Sequence, residues 1–172
     1  GVQTCALPIL VGVNMGKLGF LAPYTVDQLV EHLPDILAGD IAPSPRMMLD
    51  CTIERRGRTV FESLALNEVA ISGGLPSRLH WIDVQVNGGE ECVAYRGDGM
   101  IIATPVGSTG YNLAAGGPLM APTMEAIVVR PVCPHTFASR SLVVPADTRL
   151  TLTTRPPIRG VGMTIDGQDW MR

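Results

Sequence analysis

The hydrophobic positions change period once along the chain, near Pro45. Before it, an apolar run over residues 10–14 leads into a Gly-rich turn at 14–19 and reads as a buried strand. Thr25-Val26-Asp27-Gln28 has the spacing of a capping box. Leu29, Val30, Leu33, Ile36 and Leu37 then fall on one helical face. Pro34 is expected to break or kink that helix, and Gly39 to stop it. A strand followed by a helix is the tail of an α/β unit.

After Pro45 the period falls to two. Residues 47–54 and 59–66 read as strands joined by the turn Arg55-Arg56-Gly57-Arg58, with 69–72 continuing the second. Residues 79–86 alternate, with Trp81, Asp83 and Gln85 opposite Ile82, Val84 and Val86. Asn87-Gly88-Gly89 then turns the chain into 92–96 as a hairpin. Short strands follow at 100–104, 126–130, 141–144, 149–154 and 161–165, with a helix starting near Ser108 and ended by Gly116-Gly117-Pro118. The expected architecture is an α/β remnant over 10–42 followed by a β-rich, β-sandwich-like domain over 43–172.

The first nine residues stand apart. Gly1-Val2-Gln3-Thr4-Cys5-Ala6-Leu7-Pro8-Ile9 is the translation of a common sequencing-library adapter, so 1–9 is expected to be non-native and is left out of the fold reasoning.

Composition narrows the class. With 46% hydrophobic and 17% charged residues, the chain can bury a core, and no apolar stretch nears the roughly 18 residues of a membrane span. A net charge of -3, no basic run and only 5% aromatics argue against nucleic acid as the partner. Cys5, Cys51, Cys92 and Cys133 form no Cys-x-x-Cys pair, and His32, His80 and His135 lack metal-ligand spacing. A reducing cytoplasmic compartment is expected.

The richest chemistry lies between Arg96 and Tyr111. A short apolar strand sits between Gly97-Asp98-Gly99 and Gly107-Ser108-Thr109-Gly110. Glycines let backbone approach a ligand closely, Ser108, Thr109 and Tyr111 bring hydroxyls, and Asp98 brings a carboxylate. This set suits a polyhydroxyl or phosphate-bearing ligand. Singly, each piece has a plainer reading: Asp98 as an Asx-turn, Arg96 as a strand-end surface residue, Tyr111 as a half-buried helix residue. Asn67-Glu68 interrupts an apolar strand, and adjacent strand residues face opposite sides, so one of the pair faces the buried side. The residues alone leave open a polar pair lining a cleft and an edge strand capping a loop. Asp166-Gly167-Gln168 reads as a β-turn first and an active-site acid second. No Walker P-loop, Gly-x-Ser-x-Gly elbow or histidine pair is present.

Four motifs in order, Gly12-Val13-Asn14-Met15-Gly16-Lys17-Leu18-Gly19-Phe20-Leu21, Leu66-Asn67-Glu68, the run Arg96 to Pro118 and Ile165-Asp166-Gly167-Gln168, resemble the NAD kinase family, from Leu10 onward. The resemblance implies two domains closing on an active site, the second β-rich, in the fold shared with diacylglycerol kinases. It implies transfer of the γ-phosphoryl of ATP, or of polyphosphate, to the adenosine ribose 2′-hydroxyl of NAD, assisted by a divalent metal, usually magnesium. It also implies a homodimer or homotetramer with subunit contacts near the substrate, and no nucleic-acid or membrane partner. By position, Asn67 and Glu68 would bind the NAD ribose and diphosphate region. Asp98, supported by Arg96, would hold the nicotinamide end. Thr109, Gly110 and Tyr111 would line the pocket, and Asp166 would lie near the reacting centre as a possible catalytic acid. No residue is expected to ligate metal directly.

Three departures stand out. The family's Gly-Gly-Asp-Gly-Thr motif, whose aspartate is taken as general base, belongs upstream of Leu10, where the chain is expected to have been cut, leaving a fragment inactive by itself. Gly110 replaces the usual Ala, and Ala114 a common Ser. Two other readings remain: a related lipid or sugar kinase, and a non-catalytic dinucleotide-binding module.

Overall fold

The computed structural model describes residues 9–16, 22–73, 79–90, 92–135, 140–155 and 160–171, the side chains of 169–171 excepted. The chain divides into two compact units at Pro45/Arg46. Residues 1–8 of the expected non-native segment, and 17–21, which include the end of the Gly-rich turn, lie outside the described residues.

In the first unit, helix α1 (Val26–Ala38) starts as its sequence dictates. The Thr25 hydroxyl accepts from the Gln28 N–H, and the Gln28 side chain accepts from the Thr25 N–H, so two orphan donors are satisfied reciprocally. Gly39 ends it in the left-handed region (φ 82°), with the Asp40 N–H donating to Asp35 O as in a Schellman cap. Pro34 does not break the helix. Its ring removes one donor from a 13-residue ladder, and the helix continues four residues past it. The expected strand at 10–14 is absent. Val13 forms one isolated parallel bridge to Tyr24, and Leu10 is 80% exposed. A strand exists only as part of a ladder, and one bridge is not a ladder.

The second unit holds β1 (Leu49–Arg55), β2 (Arg58–Ala65), β3 (Glu68–Ser72), β4 (His80–Val86), β5 (Cys92–Gly97) and β6 (Gly99–Ala103). A 3₁₀ turn (Gly107–Thr109) and the short helix α2 (Tyr111–Ala114) follow. The chain then forms β7 (Ala126–Val132), β8 (Leu142–Pro145), β9 (Leu150–Thr154), β10 (Gly162–Ile165) and β11 (Asp169–Met171). All ladders among them are antiparallel. The sheets run β1-β2, β11-β10-β3-β6-β7-β8 and β5-β4-β9. The β4–β5 hairpin turns at Asn87 (φ 52°) and Gly88 (φ 67°), both left-handed as a type I′ turn requires.

The six-stranded sheet is apolar on both faces. Val69, Met100, Ile102, Ile127, Val129 and Ile165 pack with Ile82, Val84 and Tyr95 of the three-stranded sheet and with Leu49 and Ala65 of the two-stranded one. On the opposite face Ala70, Ile101, Ala103, Ala126 and Val128 pack with Met120 and Ala115. Burial on both faces explains why β6 reads as a continuous apolar run and not as an alternation. The sequence reading is corrected at one junction. Residues 69–72 do not continue β2: the chain leaves the two-stranded sheet after Ala65 and enters the six-stranded one at Glu68.

Candidate functional site

That junction is where the site is built. Leu66 and Asn67 connect two sheets, so Asn67-Glu68 is not a polar pair within one strand, and the opposite-faces argument does not apply to it. A connection between sheets has no ladder to satisfy its backbone, so side chains must do so. From one side, Asp166 follows β10 in the left-handed region (φ 49°). Its Oδ1 accepts the N–H groups of Asn67 (2.7 Å) and Glu68 (3.0 Å), and its Oδ2 accepts that of Leu66 (2.8 Å). The Asp166 N–H donates to Glu68 O. From the other side, buried Thr104 donates its hydroxyl to Leu66 O (2.6 Å) and its N–H to Asn67 O (2.9 Å), and its Oγ1 accepts the Gly107 N–H. Gly107 lies flat against Asn67, and a Cβ there would collide with the Asn67 carbonyl.

With its backbone satisfied, the connection presents the side chains of Asn67 and Glu68, both half-buried. Burial raises the Glu68 carboxyl pKa above its ordinary value, and the neighbouring negative charge of Asp166 raises it further. Glu68 Oε2 lies 3.8 Å from the position a Cβ on Gly110 would take, so Glu68 and the 3₁₀ turn share one site. An alanine at Gly110, the residue usual in the resembled family, would make only ordinary contacts of 3.5 and 3.8 Å.

The hydroxyls divide. Ser108 is buried, donating to Pro105 O (2.6 Å) and accepting from the Met120 N–H (3.0 Å), so its hydroxyl holds the turn. Thr109 is half-buried and donates to Val106 O (3.0 Å). Tyr111, the first residue of α2, is 48% exposed. Thr104 and Asn112 join the site without any motif of their own in the sequence to mark them. Asn112 is fully buried, donating Nδ2–H to Ser108 O (3.0 Å) and Pro118 O (2.9 Å), with the rest of its amide against Gly117. The available signal was a polar residue within an otherwise small and apolar run.

Arg96 and Asp98 are not brought to this place. Ser72 pairs with Gly99 at one end of the β3–β6 ladder and Glu68 with Ala103 at the other, four residues or roughly 14 Å apart. Asp98 is exposed at the far end, its N–H donating to Val132 O. Arg96 lies over the Trp81 ring (5.8 Å) and forms no ion pair with Asp98. Among the described residues no group of three or more His, Cys, Asp or Glu converges to hold a metal ion, and both Asp166 oxygens are engaged by amides.

A strand-rich antiparallel domain organised around a pinned polar connection defines the class. Residues 66–172 match the family described as the ATP-NAD kinase C-terminal domain. The chain belongs to that family. It is 41% identical over 162 residues to the NAD kinase of Geobacter sulfurreducens, covering 94% of this chain and 56% of that one. To the NAD kinase of Symbiobacterium thermophilum it is 43% identical, covering 98% and 59%. The chain thus spans somewhat more than half the length of these relatives. Its fold matches yeast NADH kinase complexed with NADH (TM-score 0.80, 24% identity, 94% of this chain and 47% of that one). It also matches an NAD kinase from Archaeoglobus fulgidus in complex with ATP (TM-score 0.78, 26% identity, 94% and 60%).

Proposed function

We propose that this chain is the substrate-binding part of an NAD kinase, which transfers the γ-phosphoryl of ATP to the adenosine ribose 2′-hydroxyl of NAD. One observation carries the reading: a connection pinned by Asp166 and Thr104 holds Asn67 and Glu68 beside Gly107–Tyr111. Asn67 offers an amide donor and acceptor in fixed position, the pairing that vicinal hydroxyls need. Glu68, its pKa raised, suits a ribose hydroxyl better than a diphosphate. Thr109 and Tyr111 complete the wall.

Asp166 acts as a positioning residue in this reading, not as the catalytic acid. Its carboxylate faces three amides and holds Asn67 where the ligand meets it. In the transfer, the 2′-oxygen loses its proton and bonds to the γ-phosphorus, while the bond from that phosphorus to the β–γ bridging oxygen breaks and releases ADP. Such a reaction needs positioning and charge neutralisation more than covalent chemistry. Magnesium would be carried mainly by the donor's own phosphate oxygens, as Mg²⁺ commonly is. Asp98 reaches the same ligand only if that ligand is extended along the ladder or a second copy contributes its own Asp98. The second arrangement fits the proposed homodimer or homotetramer, and a cytoplasmic setting fits the reaction.

The test is an NAD titration of the 172-residue chain, beside an assay of ATP-dependent NADP formation by this chain and by the same chain joined to the N-terminal half of the Geobacter sulfurreducens relative. Saturable NAD binding, with NADP formed by the joined protein, is the expected result. A joined protein that phosphorylates a lipid or sugar and leaves NAD untouched would overturn the proposal.

A further inference from the structure

We propose a second anion site, for a phosphate-bearing small molecule, in the hollow between the Gly116-Gly117-Pro118 segment and the start of β8. The hollow measures about 650 Å³ and is lined by those three residues with Arg130, Arg140, Ser141 and Val143. None of the described residues lining it is acidic. The hollow is broadly open to solvent, so a ligand there would be held by charge and not by enclosure.

The charge arrangement makes the case. Arg130 stands on β7, half-buried beneath Gly116. Its Nε–H donates to Ala115 O (2.9 Å) and its Nη1 to the Ser141 hydroxyl (3.4 Å), both neutral acceptors. Among the described residues no carboxylate pairs with it. A guanidinium has five N–H donors, and these bonds use two of them. Among the described residues this half-buried cation has no counter-charge, and an anion in the hollow would supply one. Exposed Arg140 lines the same hollow and supplies a second positive charge. Two guanidinium groups and the Ser141 hydroxyl lining one hollow suit the oxygens of a phosphate. Gly116 stands in the left-handed region (φ 78°), and Arg130 Nη2 lies 3.4 Å from where its Cβ would be.

None of these residues is among those proposed to bind NAD, so the inference stands apart from that reading. The experiment is calorimetric titration of the chain with inorganic diphosphate at constant ionic strength. Saturable binding is expected, weakened about fivefold or more by Arg140→Gln and by tenfold or more by Arg130→Met. Asn67→Ala should leave it unchanged. Arg140 is exposed, so its variant keeps the test valid if Arg130→Met misfolds through loss of the bond to Ala115. Three results would overturn the proposal. One is no saturable binding. A second is binding abolished by Asn67→Ala and indifferent to Arg140→Gln. The third is a hollow covered by a second copy, seen as an oligomer in sedimentation that Arg140→Gln dissociates without any diphosphate bound.

Discussion

The two ends of the β3–β6 ladder are built in opposite ways. At the Glu68–Ala103 end, Asp166 and Thr104 tie the connecting backbone from two directions, and Ser108 and Asn112 brace the turn behind it. At the Ser72–Gly99 end, Asp98 is held by main chain only, between glycines that admit no side chain: a Cβ on Gly97 would lie 2.6 Å from Val132 O, and one on Gly99 would collide with Ile71 O. One end uses polar side chains to fix backbone and presents Asn67 and Glu68. The other uses close backbone packing and leaves a carboxylate in solvent. A polar residue near a ligand site can therefore serve as scaffold or as contact, and its hydrogen bonds show which.

Substitutions sharpen or break this contrast. Gly107→Ala should act most strongly, because its Cβ would strike main chain that cannot swing aside. A loss of about 3–5 kcal/mol in chemical denaturation is expected, with NAD binding lost as well. A stable variant would show that the connection is not rigid. Asp166→Asn replaces one acceptor oxygen with an NH₂ that faces amides, and should lower stability by about 2–3 kcal/mol together with NAD affinity. Full stability with only turnover lost would return Asp166 to the role of catalytic acid. Asn67→Ala should weaken NAD binding by about 1–3 kcal/mol while the unfolding midpoint holds. The reverse pattern would make Asn67 a structural residue. Asp98→Ala should change stability by less than about 0.5 kcal/mol, since its side chain is exposed, yet raise the KM for NAD in the joined protein.

The smallest effect concerns Glu68. Its pKa is raised in the folded chain, so between the unfolded value, about 4.3, and the folded one the native state holds more protons than the unfolded state. Stability therefore falls as pH rises through that window and stays at the lower level above it. Glu68→Gln should remove this decline and give a slightly higher melting temperature at pH 7. An unaltered pH profile would mean that Glu68 is not desolvated.

Local devices were legible in the sequence and distant ones were not. Thr25 with Gln28 and Asn87 with Gly88 act within three residues, and both formed as their spacing dictated. The switch of sheets at Asn67 was hidden because residues 64–72 carry enough apolar positions to pass for one strand. The cause of the switch, Asp166, stands 99 positions from Asn67, beyond any periodicity. Residues 10–14 failed in the other direction: their composition suited a strand, but strand formation depends on a neighbour that composition does not report. At the candidate site, the structure brings the Gly107–Tyr111 run beside Glu68, while the hydroxyls within it were indistinguishable by type. Only burial separates Ser108, which braces the turn, from exposed Tyr111.

The tie between Asp166 and the 66–68 connection also sets a schedule. A ribosome adds about 5–20 residues each second, from the N-terminus. The β4–β5 hairpin can close as soon as it emerges, but the Asn67 connection lacks its clasp until residue 166 leaves the exit tunnel. β3 likewise waits for β10, one of its two neighbours. During synthesis the 66–68 connection thus stays unclasped until Asp166 arrives, long after the β4–β5 hairpin has been able to close.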